Sequence, residues 1–192
     1  MPVGMYSAQT VVTGEKVYVG GGVTKKGNHK YHVFQYNTSK DEWSHLPPHP
    51  VQWFAMARFL GNLITVGGKG AAECDTIGKV YHFKEESQEW EEFLQPMPTA
   101  RLFLSVATTQ SAIIASRGAT HFRGIKPVPC ATVEVYCSET SQWYTANPVP
   151  APGGAMTCII IADTCYLLGG SDTDGKGHLS RSERQVNYSP VS

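Results

Sequence analysis

The sequence predicts an all-β fold built from a repeated four-stranded unit. Three observations support this prediction: segments of β-branched and aromatic residues alternate with turn residues, no segment sustains a helical period, and one motif recurs about every 50 residues. The 192 residues also include 19 Gly and 12 Pro, as expected for many tight turns between short strands.

The recurring motif starts with an apolar run that ends in a glycine pair. The pairs are Gly21-Gly22, Gly67-Gly68 and Gly169-Gly170, and a degraded copy puts Arg117-Gly118 at the same point. In the first three copies along the chain, which include the degraded one, an aromatic residue follows. A tryptophan comes seven positions after it, and then a proline-rich connection. The aromatic pairs are Tyr36 and Trp43, Phe83 and Trp90, and Tyr136 and Trp143. Four ordered features recurring together indicate a structural repeat.

Each repeat is predicted to form four short antiparallel strands. In the third copy we expect them over Phe103–Thr109, Ser111–Ser116, Thr132–Cys137 and Gln142–Thr145. A lone four-stranded unit would leave both faces exposed, so the units must stack, and radial stacking of such sheets gives a β-propeller. The chain is expected to be a single propeller region over residues 1–192, with units at approximately 5–47, 52–95, 101–146 and 154–189.

The motif residues have structural roles in this prediction. Paired glycines allow positive φ and close backbone approach at a crowded strand end. The aromatic residue and the tryptophan lie on consecutive strands, and we expect them to pack between neighbouring sheets rather than to stack on a ligand. Their role is therefore to hold the units together.

These residues resemble the kelch repeat, through the glycine pair, the aromatic–tryptophan spacing and the run Pro96–Arg101. The resemblance implies a kelch-type β-propeller with three complete blades and an incomplete fourth, in which Tyr188 would head the third strand. Because the family usually closes with five to seven blades, we expect an open arc or a portion of a larger ring. A closed four-blade ring is the alternative. An open arc would expose apolar terminal faces and favour self-association.

The cysteines and the absence of targeting signals bear on compartment. The five cysteines form no C-x-x-C pair, and free thiols are favoured over disulfides or metal, although Cys158 and Cys165 flank a predicted hairpin turn. No secretory signal and no apolar run of membrane-spanning length is visible, so no membrane association is expected. The cytoplasm is the expected location.

The sequence carries few marks of catalysis. No phosphate-binding glycine loop, nucleophile elbow or H-E-x-x-H motif is present, and Asp172–Gly175 lacks the glutamate that a calcium loop requires. The seven scattered histidines are interpreted as solvated polar residues. The resemblance brings one enzymatic alternative, the copper-radical sugar oxidases built on kelch propellers. We expect no enzyme, no metal and no cofactor.

Charge is balanced overall but segregated along the chain. The 16 basic and 16 acidic residues argue against nucleic-acid binding. The segments between second and third strands carry an excess of basic residues, whereas the third and fourth strands and their turns are acidic. Radial stacking would gather the basic segments on one face, where loops on a rigid scaffold commonly bind partners. The candidate partner-binding residues are Lys25, Lys26, His29, Lys30, His121, Phe122, Arg123 and Lys126.

The resulting functional hypothesis is a non-catalytic protein-interaction scaffold whose inter-strand loops bind a protein partner with an acidic segment. The oxidase-type enzyme is one alternative, and a truncated fragment without independent function is another. In the kelch family, propellers commonly act as recognition domains within larger chains, including ubiquitin-ligase adaptors. Nothing in the sequence supports that specific adaptor role.

Overall fold

The structure is a computed structural model. It describes residues 1–24, 31–70, 76–121, 126–150, 152–154, 157–161, 164–170 and 185–187. All regular structure in these residues is β-strand, which confirms the predicted fold class.

Antiparallel sheets repeat along the chain, and we call them units 1 to 4. Each strand pairs with the next one in chain order, and the first three units have four strands. The strands of unit 1 are Gln9–Thr13, Lys16–Gly20, Val33–Asn37 and Glu42–His45. Those of unit 2 are Ala55–Phe59, Asn62–Val66, Val80–Lys84 and Glu89–Leu94. Those of unit 3 are Ser105–Thr108, Ala112–Ser116, Val133–Cys137 and Gln142–Ala146. The described strands of unit 4 are Thr157–Ile161, Thr164–Leu168 and Gln185–Asn187.

The units are arranged radially. The first strand of each unit contacts the first strand of the next, so these strands lie innermost. Hydrophobic clusters fill the spaces between consecutive units, with the units 2 and 3 interface centred on Phe59, Ile64 and Ile113. This is the β-propeller arrangement, with three complete blades and three described strands of a fourth. In unit 4 the third strand ends at Asn187, and Tyr188, expected to head it, lies outside the described residues.

The chain segments at the two ends of each unit define two faces. The start of every first strand pairs with the end of the second strand, as Gln9 with Gly20 and Ala55 with Val66. The segments that precede first strands and the loops between second and third strands therefore share one face, called the loop face. The hairpin turns between first and second and between third and fourth strands lie on the opposite face, called the hairpin face.

Short pairings extend the sheets onto the loop face. In units 1 to 3 the chain just beyond the glycine pair bonds to the segment that precedes the first strand of the same unit, and unit 3 has a further short ladder within its loop. These pairings are Met5–Tyr6 with Val23–Thr24, Val51–Gln52 with Lys69–Gly70, Leu102 with Ala119, and Ala119–Thr120 with Val128–Pro129. They fix where each long loop leaves the scaffold.

In units 1 to 3 these pairings explain why the second residue of the pair is glycine. A Cβ atom at Gly22 would lie 2.7 Å from the carbonyl oxygen of Tyr6, and one at Gly118 would lie 2.7 Å from that of Leu102. Tyr6 and Leu102 occupy equivalent places before the first strands of their units. Only glycine leaves room for that carbonyl.

The first residue of the pair has a different requirement, a left-handed backbone. Gly21, Gly67 and Gly169 have φ values of 74°, 66° and 74°, and Arg117 adopts φ 56° at the same point. The arginine retains the local geometry even though this conformation costs a non-glycine residue about 1–2 kcal/mol. The degraded motif copy therefore still makes the same turn.

The cysteines of unit 4 differ from the expectation. Cys158 and Cys165 lie diagonally across the first hairpin of unit 4 and form a disulfide, with Cα atoms 6.5 Å apart. The prediction of free thiols is therefore wrong for this pair, because alternation places both side chains on the sheet face that packs against unit 3. Cys130 and Cys137 are free, and Cys74 lies outside the described residues.

Candidate functional site

The predicted partner-binding residues are only partly described. Lys25, Lys26, His29, Lys30, Phe122 and Arg123 lie outside the described residues. His121 and Lys126 lie at the two ends of the undescribed part of the unit 3 loop, and Lys126 is exposed. Both are on the loop face. They mark where that loop leaves and rejoins the scaffold.

Loops of neighbouring units meet on this face. The backbone N–H of Thr76, in the unit 2 loop, donates to the carbonyl oxygen of His121 at 3.2 Å. The Thr76 hydroxyl lies 3.4 Å from the same oxygen. His121 is half-buried in this contact, whereas Lys126 is open to solvent. The described ends of the unit 2 and unit 3 loops are therefore in contact.

The aromatic motif pairs occupy directly opposed positions on third and fourth strands. Their ring centroids are separated by 4.9, 5.2 and 5.5 Å in units 1, 2 and 3. The pairs are Tyr36 with Trp43, Phe83 with Trp90, and Tyr136 with Trp143.

Two of the tryptophans also bond to the linker that precedes their own unit. The Trp90 indole N–H donates to the carbonyl of Pro47 at 3.1 Å, and that of Trp143 donates to Gln95 at 2.9 Å. Two residues further on, His49 and Met97 are buried against the tryptophan-bearing sheets. Trp90 and Trp143 therefore link consecutive units.

His49 is buried with both ring nitrogens engaged. Nε2 lies 2.8 Å from the Thr65 hydroxyl, and Nδ1 lies 3.1 Å from the backbone N–H of Val51. Burial lowers the pKa of His49 to about 3, despite an opposing hydrogen bond to the Val51 backbone. This histidine is a neutral part of the core, not the solvated polar residue expected from the sequence.

The sequence did not predict the buried ion pair between Arg101 and Glu134. Arg101 is fully buried and donates to a Glu134 carboxylate oxygen at 2.8 Å. The same guanidinium donates to the carbonyls of Arg117 and Thr132 at 2.7 and 2.8 Å. The other Glu134 oxygen accepts from the backbone and hydroxyl of Thr99 at 3.0 and 2.7 Å. Glu134 is therefore a core residue, and although it lies on one of the acidic third strands it adds no charge to the outside of the molecule.

Other acidic residues of the third and fourth strands and their turns do carry charge on the outside of the molecule. Lys16 pairs with Glu85 at 2.8 Å, Lys84 pairs with Glu91 at 2.6 Å, and Lys79 pairs with Glu92. Lys79 is thereby neutralised and does not add to the basic character of the loop face.

A cluster that the sequence analysis missed lies where the four units converge. Trp53 and Phe103 occupy equivalent places, two residues before the first strands of units 2 and 3. Their ring centroids are 5.1 Å apart, and the Lys69 Nζ lies 5.1 Å from the centre of the Trp53 ring. We call these three residues the mouth cluster. Their equivalent spacing within the repeat is the signal that could have revealed them.

A small cavity adjoins the mouth cluster. Its volume is about 150 Å³, and residues from all four units line it, including Ser7, Gly21, Leu104 and Thr157. It lies on the loop face, because its lining residues precede or begin first strands or follow second strands.

Neither a metal site nor a membrane span emerges from the described part of the chain. No three His, Cys, Asp or Glu side chains there are grouped so that they could hold a metal ion. The same residues include no helix capable of crossing a membrane.

Comparison with known proteins agrees with the repeat. A kelch-motif family model matches residues 5–50, which contain unit 1. The chain is 26% identical over 181 residues to Kelch-like protein terF of Aspergillus terreus, covering 88% of this chain and 38% of that protein. It is 26% identical over 161 residues to Kelch-like protein 40 of Mus musculus, covering 82% of this chain and 25% of that protein. The chain therefore spans well under half the length of both relatives.

Among solved structures, that of YjhT superposes with a TM-score of 0.70 at 16% identity. The match covers 89% of this chain and 60% of the other, and at this identity it supports the fold alone. The motif match and the kelch-like relatives support a kelch-repeat family, and the repeated four-stranded units show a β-propeller.

Proposed function

We propose that this chain is a non-catalytic scaffold whose loop face binds a protein partner through an acidic segment of that partner. The observation that carries the proposal is the contact between Thr76 and His121, which brings the described ends of two loops together on the same face. A radial scaffold holds such loops in fixed positions, the usual basis for recognition by loops. The kelch-like relatives favour an interaction scaffold in general terms.

Charge supports an acidic partner segment. Lys25, Lys26, Arg123 and Lys126 all belong to loops between second and third strands. Lys126 is exposed at the edge of the unit 3 loop. Complementary charge on a partner would speed association and improve specificity.

Affinity capture from source-cell extract, quantified by mass spectrometry, tests this surface. Reversing Lys25, Lys26, Arg123 and Lys126 to Glu should abolish capture of partners bound by the wild-type chain, without lowering thermal stability. The matched pair Arg123→Glu with Lys126→Glu should weaken capture. Lys40→Glu with Arg58→Glu, which makes the same charge change near the hairpin face, should not. Equal capture by all variants would reject the loop face as the partner site.

Self-association is a second part of the proposal. Ile159, Ile161 and Leu168 are 38%, 56% and 38% exposed on the face of unit 4 that points away from unit 3. On the other outer face, Val12 of unit 1 is 62% exposed. We propose that a second copy of this chain covers the unit 4 face. Analytical ultracentrifugation should show concentration-dependent association that Ile161→Glu removes, and a wild-type chain that stays monomeric at high concentration would contradict it.

A cytoplasmic location is proposed by analogy with the kelch-like relatives. The Cys158–Cys165 pair runs against the reduced thiols expected in that compartment. Alkylation of the protein in intact cells, followed by mass analysis, reads the redox state of this pair directly. Fractionation of the full-length protein then tests the location.

A further inference from the structure

We propose that the mouth cluster, Trp53, Phe103 and Lys69, is the anchor of the partner site. It would receive one apolar side chain of the partner next to a carboxylate. This inference rests on the proposed function and specifies where on the loop face the partner is held. The three residues are half-buried, so part of each remains accessible.

The backbone around the cluster is unusual in a consistent way. Ser7, Trp53 and Phe103 stand two residues before the first strands of units 1, 2 and 3, with φ values of 55°, 53° and 54°. Non-glycine residues rarely adopt this conformation, and such strain is concentrated at functional sites. The Phe103 backbone N–H also points to the Trp53 carbonyl, at 3.4 Å, so the two turns are joined. The scaffold thus holds two large aromatic rings at positions where a small residue would suffice.

The chemistry of the cluster indicates an anionic group beside an apolar one. The Lys69 ammonium lies over the Trp53 ring, and no ion pair among the described residues engages it. The Trp53 indole Nε1 is buried and has no hydrogen-bond partner in the described structure. A buried donor without a partner is costly, so a ligand acceptor there would be favourable. Aromatic faces beside a cation are typical of interface anchors.

The volume of the adjoining cavity favours one side chain of a protein partner over a free small molecule as its ligand. At about 150 Å³ it is well below the ~300–1,000 Å³ of typical small-molecule sites. Its lining combines apolar surface from Phe54 and Leu104 with hydroxyls from Ser7 and Thr157. A single aliphatic or proline side chain fits this space, with a neighbouring carboxylate placed at Lys69.

A peptide array provides the direct test. The purified chain is applied to immobilised hexapeptides in which Asp or Glu adjoins each apolar residue in turn, with matched peptides carrying Lys in place of the acid. Binding is expected for acid–apolar sequences only, and the dissociation constant of the best peptide is then measured by fluorescence anisotropy. Failure of every acidic peptide to bind would overturn the anchor.

Variants locate the contact. Trp53→Ser copies the residue that unit 1 uses at the same position and backbone angle, so the turn should persist. Trp53→Ser and Lys69→Gln should each weaken the best peptide by about tenfold or more, with unchanged thermal stability. Tyr144→Ser, which removes an exposed aromatic ring from the outer strand of unit 3, should have no effect.

The outcomes separate this inference from the proposed function. If the four-residue loop reversal abolishes peptide binding while Trp53→Ser and Lys69→Gln leave it intact, the anchor is wrong and the loop face stands. If none of these variants changes binding, both are wrong. Glucuronate serves as the small-molecule comparison, and its binding with dependence on Trp53 would assign the cluster to sugar acids and overturn the peptide proposal.

Discussion

The interface between units 1 and 2 contains a buried neutral histidine, whereas the interface between units 2 and 3 contains a buried ion pair. In the first interface, the ring centroids of His49 and Trp90 are 4.6 Å apart, and His49 forms a hydrogen bond with the Thr65 hydroxyl. In the second, Arg101 and Glu134 bond to each other and to surrounding backbone. The two interfaces therefore satisfy buried polar groups by different means.

The linker backbone is the feature that the two interfaces share. His49, Met97 and Val149 each donate a backbone N–H to the carbonyl that lies two residues before the third strand of the preceding unit. All three side chains are buried. A common backbone bond therefore accepts histidine, methionine or valine, and repeats can diverge in sequence while the geometry persists. The two interfaces should consequently respond to different perturbations.

Loss of one ion-pair partner should have the largest effect. Arg101→Met leaves the Glu134 carboxylate buried without its cation, which is expected to cost about 3–5 kcal/mol. Urea denaturation measures this free energy of unfolding. The double variant Arg101→Met with Glu134→Leu should regain most of the stability, since no buried charge remains. A double variant as unstable as Arg101→Met alone would show that the pair is not the source of the cost.

The tryptophan that bridges units should matter more than the one that does not. Trp90→Ala removes both packing against His49 and the bond to Pro47, and should cost about 3 kcal/mol. Trp43→Ala in unit 1 should cost less than half as much, because its described contacts are to its own unit. Thermal melts of the two variants compare these losses of stability. Equal losses would contradict the bridging role.

Acid should weaken the first interface selectively. Burial lowers the pKa of folded His49 to about 3, whereas the unfolded chain has the ordinary value of about 6.5. The unfolded state therefore binds more protons below pH 6.5, and stability falls as pH decreases, by about 2 kcal/mol at pH 5 from this residue.

The control for this effect comes from the next linker. His49→Met introduces the residue that stands at the equivalent position between units 2 and 3. Stability measured from pH 7 to 5 should decline less in this variant than in the wild type. The same pH slope in both would exclude His49 as the source.

Loss of the exposed ion pair between Lys16 and Glu85 should have the smallest effect on the free energy of unfolding. The Lys16 ammonium lies 2.8 Å from Glu85, and both side chains are partly exposed. Lys16→Met should change the free energy of unfolding by less than about 1 kcal/mol, and added salt should reduce the difference further. A loss as large as that of Arg101→Met would remove the distinction between surface and interface charge.

The sequence was sufficient for the architecture because the repeat carries it. The glycine pairs and the aromatic–tryptophan spacing located four units, and the third unit's strands differ from their predicted bounds by at most two residues. These features are local in sequence, so their spacing can be recognised along the chain.

Interactions across units could not be read in the same way. Arg101 and Glu134 are 33 positions apart and meet only when a linker folds onto a third strand. Glu134 lies on one of the acidic third strands, but side-chain alternation turns its carboxylate into the core. Trp53 and Phe103 belong to consecutive repeats, and only radial stacking brings their rings together.

One equilibrium measurement tests whether the loop face binds a protein partner through an acidic segment of that partner. The partner captured most strongly by the wild-type chain is produced separately, and its dissociation constant is determined by calorimetry for three proteins. Arg123→Glu with Lys126→Glu should weaken binding at least tenfold, a change of about 1.4 kcal/mol. Lys40→Glu with Arg58→Glu should match the wild type. Equal affinity in all three proteins, or loss confined to the Lys40 and Arg58 variant, would contradict the account.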